Sequence, residues 1–344
     1  MATFAFFDTK PYDIPGFEKY SKGTDIQFRF YETKLCADTV SLAEGCDGVV
    51  VFVNDTVDKT VIDKLYDMGV RLIALRCAGF NNVDTASSFE KIHIVRVPAY
   101  SPYAVAEHAM AMLLCSIRRI HKAFNRTREF NFSLQGLCGF DLHGKTVGVV
   151  GTGKIGRVFA DICRGFGMNV IAYDPYPAKD VWFEYASLDE LLSRSDIISL
   201  HCPLTAETQH IINAESIAKM KKGAVIINTS RGQLIDTDAL IDGIKNKTVG
   251  AACLDVYEEE SDIFFEDYSG HIMQDDTLAR LVSMPNVILT SHQGFLTTDA
   301  LENIAKVTVE NIQCFLEGKD LQNEVCYHCG KGEICRKNRL GKCF

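Results

Sequence analysis

A strand that runs directly into a glycine-rich turn, and then into a helix, is the feature that most constrains this fold. Residues 147–156 read VGVVGTGKIG, and residues 155–166 have the apolar spacing of an amphipathic helix. In a G-x-G-x-x-G turn the first glycine forms the bend, the second admits close approach of the backbone to a ligand, and the third lets the helix pack on the strand. The segment therefore predicts a unit of an α/β parallel sheet.

Short apolar runs that alternate with helical patterns form two series along the chain. The first series has strand candidates at residues 3–7, 26–31, 48–53, 71–76 and 92–97, and helical spacing at 57–68. The second has strand candidates at 146–150, 169–173, 196–200, 224–228, 249–254 and 287–290. This alternation predicts two doubly wound, Rossmann-like parallel-sheet units. Long helices are predicted from Pro102 to about residue 130 and over residues 299–317, where Gly318 ends the pattern.

Composition narrows the class of partner. The chain has 344 residues, and 36 Lys and Arg against 45 Asp and Glu give a net charge of −9. A negative surface repels phosphate backbones and anionic lipid, so neither nucleic acid nor a membrane is expected as a partner. The sequence also lacks a signal peptide pattern and a run of ~20 apolar residues. We therefore expect a cytoplasmic protein that acts on a small molecule.

The glycine-rich turn and the strand after it indicate a dinucleotide site. Asp174 directly follows the strand candidate 169–173. In dinucleotide-binding folds, a carboxylate roughly 20 residues after the glycine-rich turn binds the ribose hydroxyls, and Asp174 lies close to that position. The next basic residue is Lys179, so a 2′-phosphate would meet a negative charge without compensation. The expected cofactor is NAD rather than NADP.

Three further polar segments each follow a predicted strand, where ligands bind in open α/β sheets. Arg231 follows residues 224–228, and its planar guanidinium suits a carboxylate. The acidic run that ends in Glu260 follows residues 249–254, and His292 follows residues 287–290. A histidine oriented by a carboxylate is suited to proton transfer near neutral pH. Taken singly, each segment also fits a solvated turn.

Together these segments resemble the D-isomer-specific 2-hydroxyacid dehydrogenase family, from residue 3 to about residue 325. Arg231, Glu260 and His292 fall where that family carries its catalytic arginine, glutamate and histidine. Segments 78–84, 99–102, 258–281 and 292–297 look like its fermentative D-lactate dehydrogenase branch. The resemblance implies an NAD-dependent oxidoreductase that reduces pyruvate to D-lactate, with His292 as acid and base. The alternatives are a larger 2-ketoacid substrate, of hydroxyisocaproate, phenyllactate, glycerate or 2-hydroxyglutarate type, and a non-catalytic NAD-sensing scaffold.

The resemblance also implies a domain plan and a set of binding residues. A substrate domain of residues 1–100 and 299–325 would carry an inserted NAD-binding domain of residues 101–298. The helix from Pro102 resembles the family's dimer element and would join the subunits of a homodimer or higher homo-oligomer, although a helix this long could also pack inside one subunit. The implied cofactor residues are Gly151, Gly153, Lys154, Ile155, Gly156, Asp174, Cys202, Pro203, Thr208, Thr229, Ser230 and Asp255. The implied substrate residues are Ala78, Gly79, Tyr100 and Arg231.

The 13 cysteines fall into two groups. Nine lie singly, mostly in apolar runs, and are expected to be buried reduced thiols: Cys36, Cys46, Cys77, Cys115, Cys138, Cys163, Cys202, Cys253 and Cys314. The other four, Cys326, Cys329, Cys335 and Cys343, lie among basic residues at 326–344. Such a segment could hold a metal through its thiolates, but the spacing matches no zinc or iron–sulfur pattern. A mobile, redox-sensitive tail is the favoured expectation.

Overall fold

The computed structural model describes residues 1–260 and 263–330, with side chains up to His328. The strands are β1 Ala2–Phe6, β2 Ile26–Phe30, β3 Gly48–Val51, β4 Leu72–Leu75, β5 His93–Val95, β6 Thr146–Val150, β7 Asn169–Tyr173, β8 Glu184–Tyr185, β9 Ile197–Leu200, β10 Ala224–Asn228, β11 Val249–Leu254, β12 Val287–Leu289 and β13 Glu324–Val325. The helices are α1 Ile14–Ser21, α2 Lys59–Asp67, α3 Thr85–Ser88, α4 Pro102–Arg118, α5 Ile120–Arg128, α6 Lys154–Gly165, α7 Leu188–Arg194, α8 Ala214–Ala218, α9 Thr237–Lys245, α10 Asp276–Ser283, α11 Thr298–Leu316 and α12 Tyr327–Gly330.

The chain divides into two compact units. The first comprises Met1–Ser101 and the segment that begins at Thr297, and the second comprises Pro102–Leu296. Each unit contains one sheet, and most of its strand pairs are parallel. The predicted fold class, two doubly wound α/β units, is therefore confirmed.

The first unit has a six-stranded sheet in the order β13-β5-β4-β3-β1-β2. All of its pairs are parallel except β13, which runs antiparallel to β5. Every residue of β3 and β4 is buried, as expected for central strands covered by helices on both faces. The helix α11 begins at an N-cap, where the Thr297 hydroxyl accepts a bond from the amide of Ala300, and Gly318 follows it with a φ of 64°.

The second unit has a seven-stranded parallel sheet in the order β12-β11-β10-β9-β6-β7-β8. The strand order reverses at β6 and β9, which makes the gap between their carboxyl ends the expected ligand crevice. Six neighbouring strands end level, because their last residues are partners in register: Tyr173, Val150, Leu200, Asn228, Leu254 and Leu289. The residues that follow these strands are therefore collected along one edge of the sheet.

The predicted helix from Pro102 to about residue 130 is wrong as a single element. It is divided into α4 and α5 at Arg119, whose φ of 55° is left-handed and ends the first helix. Gly139 packs so closely on the end of α4 that a Cβ there would lie 1.9 Å from the carbonyl oxygen of Ile117. A contact of this kind comes from a distant part of the chain, and helical periodicity does not report it. Within the described residues, no helix is both long and apolar enough to span a bilayer.

The C-terminal segment departs from the expected tail over its described part. The strand β13 pairs with β5, Cys326 is 2% exposed, and the rings of Tyr327 and His328 lie 6.5 and 5.6 Å from the ring of Phe89. Residues 324–328 are thus packed on the first unit. The side chain of Cys329, together with Cys335 and Cys343, lies outside the described residues, so the metal hypothesis stays a prediction. Within the described residues, no group of three metal-binding side chains occurs.

The expectation for the nine scattered cysteines is correct in part. All nine are free thiols, and five of them are buried: Cys46, Cys77, Cys163, Cys202 and Cys253. Burial raises the pKa of the Cys163 and Cys253 thiols to about 12, which makes both unreactive. Cys138 contradicts the expectation because it is exposed.

Candidate active site

The glycine-rich turn has the shape that a bound pyrophosphate requires. Gly151 has a φ of 93°, and a Cβ on Gly156 would lie 2.0 Å from the carbonyl oxygen of Gly151. Gly153 is the N-cap of α6, and no atom lies within 4 Å of where its Cβ would be. Lys154 and Ile155 follow as the first helical residues, so their backbone amides are among those without a partner inside the helix. A free helix N-terminus of this kind favours an anion.

Asp174 lies at the end of β7, next to this turn. Its Oδ2 accepts bonds from the backbone amide of Thr152 at 2.7 Å and from the Thr152 hydroxyl at 2.9 Å, and its Oδ1 accepts one from the amide of Tyr176 at 2.9 Å. Partial burial by itself raises the pKa of Asp174, but these bonds and the charge of Arg157 outweigh it and lower the pKa. The carboxylate is therefore ionised and fixed at the position where it would bind ribose hydroxyls.

The segments after β9 and β10 meet along the same edge. The Ser230 hydroxyl donates to the carbonyl oxygen of Cys202 at 3.0 Å, and the Thr208 hydroxyl donates to that of Pro203 at 2.7 Å. The Thr229 hydroxyl is buried and has no hydrogen-bond partner among the described residues. A buried hydroxyl that is unpaired beside a ligand crevice is available to hydrogen-bond a polar ligand. These residues, with the glycine-rich turn and Asp174, fit NAD.

Arg231 is held by its own loop. The side-chain amide of Asn228 donates to the Arg231 carbonyl oxygen at 2.8 Å, and the guanidinium donates from Nη1 to the carbonyl oxygen of Ser230 at 2.6 Å. Within residues 1–260 and 263–330, Arg231 forms no ion pair, so its charge is available to an anionic ligand. The next residue, Gly232, packs closely on the segment that follows β11. A Cβ on Gly232 would lie 1.9 Å from the carbonyl oxygen of Tyr257.

Glu260 and His292 form a directly bonded pair. Glu260 Oε1 lies 2.7 Å from His292 Nδ1, and both side chains are about one-fifth exposed. The backbone amide of Tyr257 donates to the other oxygen, Oε2, at 2.9 Å. The carboxylate is thus fixed on both sides and orients the imidazole, which leaves His292 Nε2 for a reacting group. The sequence prediction that these two side chains lie together is met by this geometry.

Asp255 has a role that the sequence did not indicate. It is 1% exposed, and its carboxylate accepts bonds from the amide of Gln293 at 2.9 Å and from the amide of Gly294 at 2.7 Å. Its carbonyl oxygen accepts one from the amide of His292 at 2.7 Å, and its amide donates to the carbonyl oxygen of Asn228 at 2.9 Å. Asp255 therefore fixes the loop that carries His292 and ties it to the end of β10.

The predicted substrate residues of the first unit follow two neighbouring strands. Ala78 and Gly79 come after β4, and Tyr100 comes after β5. The Arg96 guanidinium donates to the Ala78 carbonyl oxygen at 2.7 Å, and the Cys77 thiol donates to that of Gly79 at 3.3 Å. These bonds fix the conformation of the segment after β4.

Sequence reasoning missed two histidines. His210 Nε2 lies 2.6 Å from Glu258 Oε1, so the first glutamate of the acidic run is paired away from His292. His108, on α4, lies within 3.2 Å of both Asp255 and Thr290. A histidine on the largely apolar helix pattern after Pro102 was the available signal, but its partners lie about 150 residues or more along the chain.

The fold and the strand-end residues define an α/β oxidoreductase that binds a dinucleotide, and comparison with known proteins agrees. The family described as D-isomer specific 2-hydroxyacid dehydrogenase, NAD binding domain, matches residues 110–294. A 2-hydroxyacid dehydrogenase homolog of Haemophilus influenzae is 50% identical over 93% of this chain and 98% of its own length. The D-lactate dehydrogenase of Escherichia coli is 47% identical over 93% and 99%.

The similarity extends to three-dimensional structure. The pyruvate reductase of Chlamydomonas reinhardtii has a TM-score of 0.89 and 43% identity, covering 94% of this chain and 98% of its own. The chain belongs to the D-isomer-specific 2-hydroxyacid dehydrogenase family. It is an NAD-dependent oxidoreductase, as the glycine-rich turn and Asp174 predicted.

Proposed function

We propose that this enzyme is a D-lactate dehydrogenase, which reduces pyruvate to D-lactate with NADH. The observation that carries the proposal is the Glu260–His292 pair, at 2.7 Å, after the neighbouring strands β11 and β12. Arg231 follows the next strand of the same sheet, β10. The relatives that bear the names D-lactate dehydrogenase and pyruvate reductase support pyruvate as the substrate.

In this proposal His292 is the acid of the reduction. Bound NADH would supply the hydride that reduces the keto carbon, and negative charge would develop on the carbonyl oxygen. His292 donates a proton to that oxygen from Nε2, because Nδ1 is bonded to Glu260. Glu260 stabilises the imidazolium before the transfer, and afterwards it accepts a hydrogen bond from the proton that stays on His292 Nδ1. In the reverse reaction, neutral His292 accepts the hydroxyl proton at Nε2.

We assign Arg231 to the binding of the substrate carboxylate. A guanidinium offers two parallel N–H donors that match the two carboxylate oxygens, so it orients the ketoacid as well as neutralising its charge. In the predicted substrate domain, residues 1–100 and 299–325, we assign substrate binding to Ala78, Gly79 and Tyr100.

We assign NAD binding to the predicted inserted domain, residues 101–298. The helix N-terminus at Lys154 and Ile155 would bind the pyrophosphate, and Asp174 the adenosine ribose. Cys202, Pro203 and Thr208 would line the adenosine side. Thr229, Ser230 and Asp255 would border the nicotinamide.

A panel of 2-ketoacids tests the substrate. Steady-state oxidation of NADH is measured with pyruvate, 2-ketoisocaproate, phenylpyruvate, hydroxypyruvate and 2-oxoglutarate, and the best substrate is repeated with NADPH. We expect the highest kcat/KM with pyruvate, by roughly tenfold or more over the larger acids, because a site shaped for a methyl group excludes added bulk. Chiral analysis of the product should give the D-isomer. A larger ketoacid with the highest kcat/KM would replace pyruvate in the proposal.

The proposal includes a homo-oligomer. The segment from α5 to residue 134 exposes an apolar set that is unusual for a free surface: Ile120, Phe124, Phe130, Phe132 and Leu134, with exposures between 55 and 85%. Aromatic groups are enriched at the centres of protein interfaces. We assign this apolar arm, residues 120–134, to contact with a second copy of the chain. The cytoplasmic location and the role in fermentation stay predictions from the sequence.

A further inference from the structure

His108 lies on α4 within a buried polar cluster behind the catalytic loop. Its Nε2 is 3.2 Å from Asp255 Oδ1 and 3.1 Å from the Thr290 hydroxyl, and that hydroxyl is 2.5 Å from the same Oδ1. The His108 side chain is 18% exposed and that of Asp255 is 1% exposed. The cluster thus connects a helix to the two strand ends that carry the catalytic groups.

The bonding pattern fixes which atom donates. A hydroxyl has one proton, and that of Thr290 lies on its short bond to the carboxylate, a far stronger acceptor than the Met112 sulfur 3.8 Å away. A carboxylate only accepts. His108 Nε2 must therefore carry a proton and donate it to Asp255 and Thr290.

Asp255 connects His108 to the loop that carries His292. Its carboxylate accepts from the backbone amides of Gln293 and Gly294 as well as from His108 and Thr290. Between these residues and the strand, His292 has a φ of 51°, in the left-handed region that few non-glycine residues adopt. Such a conformation persists only where surrounding bonds determine it. A Cβ on Gly294 would lie 2.9 Å from Asp255 Oδ2 and 3.6 Å from His108 Cδ2, so the loop packs directly on both side chains.

We propose that His108 is a positioning residue: by donating from Nε2 to Asp255 and Thr290, it holds the carboxylate that fixes the His292 loop. The inference rests on the proposed role of His292 as the acid. Without the donor, Asp255 would keep its buried charge but lose one of the groups that orient it. The loop would then sample other conformations, and His292 would be presented correctly for less of the time.

The test compares two replacements that separate a donor from a space-filling group. His108→Leu fills the volume but cannot donate, whereas His108→Gln places an amide nitrogen near the position of Nε2. Thr290→Val removes the hydroxyl at constant shape. His143→Leu is the matched control, because His143 is exposed in the same unit and outside the cluster. Circular dichroism melts establish that each variant is folded.

We expect His108→Leu to lower kcat with the best ketoacid by about 10- to 100-fold. Its kinetic isotope effect with NADH deuterated at the transferred position should rise, since chemistry becomes slower. His108→Gln should recover kcat to within about threefold of the unmodified enzyme, and Thr290→Val should lower it about tenfold. His143→Leu should leave kcat unchanged.

Full turnover of His108→Leu, or a His108→Gln enzyme as slow as His108→Leu, would overturn the inference. If His108→Leu does not fold, unchanged turnover of Thr290→Val would overturn it as well. His292→Ala in the same assay separates the two proposals. If His292→Ala keeps its turnover, the proposed function fails. If only His292→Ala loses turnover, the positioning role of His108 alone fails.

Discussion

At His292 the residue type could be predicted from the sequence, but the backbone conformation could not. The histidine and its glutamate partner could be predicted from their places after two strands. The left-handed φ of 51° could not be, because it depends on bonds from Asp255, 37 positions earlier in the chain. A non-glycine residue in this region is disfavoured by roughly 1–2 kcal/mol. His292 is therefore held in this conformation only when its loop is bonded to Asp255.

Arg231 allows a test at the same scale. Arg231→Lys should raise KM for the ketoacid and lower kcat, with a combined fall in kcat/KM of roughly 10- to 100-fold, because an ammonium cannot reproduce the planar two-point contact. Steady-state kinetics with the ketoacid and NADH measure both KM and kcat. Arg194→Lys is the control, since Arg194 makes an exposed bidentate pair with Glu184 outside the site. Equal kinetics for the two variants would remove Arg231 from the binding site.

Strands and helices were predicted better than the segments between them. All six strands predicted for the second unit begin and end within one residue of the structure, because they are apolar runs, most of them buried. The level ends of these strands are a property of the sheet, and they bring Thr229, Asp255 and Thr290 into line. Contacts between the loops, such as Gly232 on Tyr257, have no local sequence signal.

The contact between these two loops can be tested with a single methyl group. In Gly232→Ala the Cβ would lie 1.9 Å from the carbonyl oxygen of Tyr257, so the Arg231 loop and the segment leading to Glu260 must move apart. A displacement of about 1 Å at a catalytic group can lower activity by about 100-fold, and we expect a loss of this order in kcat/KM. Gly165→Ala, in the exposed end of α6 with no atom near its Cβ, should leave kcat/KM unchanged. Unchanged kinetics for Gly232→Ala would show that the loops are independent.

For the whole molecule, the two-unit α/β plan followed from the alternation of strands and helices. The antiparallel edge strand β13 did not, because a strand of two residues, Glu324–Val325, is too short for any periodicity. The break at Arg119 was missed because the residues beyond it keep helical spacing, so periodicity predicts one continuous helix. The residues that follow the break, 120–134, form the exposed apolar arm.

The oligomeric state tests the assignment of this arm. We expect the enzyme to sediment as a dimer or larger at micromolar concentration, and the double variant Phe130→Ser, Phe132→Ser to sediment as a monomer, because it loses two largely exposed aromatic groups. Ile272→Ser is the control, since Ile272 is 82% exposed outside the arm. A monomeric parent enzyme, or a double variant that remains associated, would contradict the assignment.

The turnover of His292→Ala tests the central claim most directly. A placed acid contributes about 10²- to 10⁴-fold to the rate, so kcat with pyruvate should fall by that factor. The dissociation constant for NADH, from fluorescence titration, should stay within about threefold, because no proposed NAD contact uses this imidazole. His143→Ala should match the unmodified enzyme. Full turnover by His292→Ala would contradict the account.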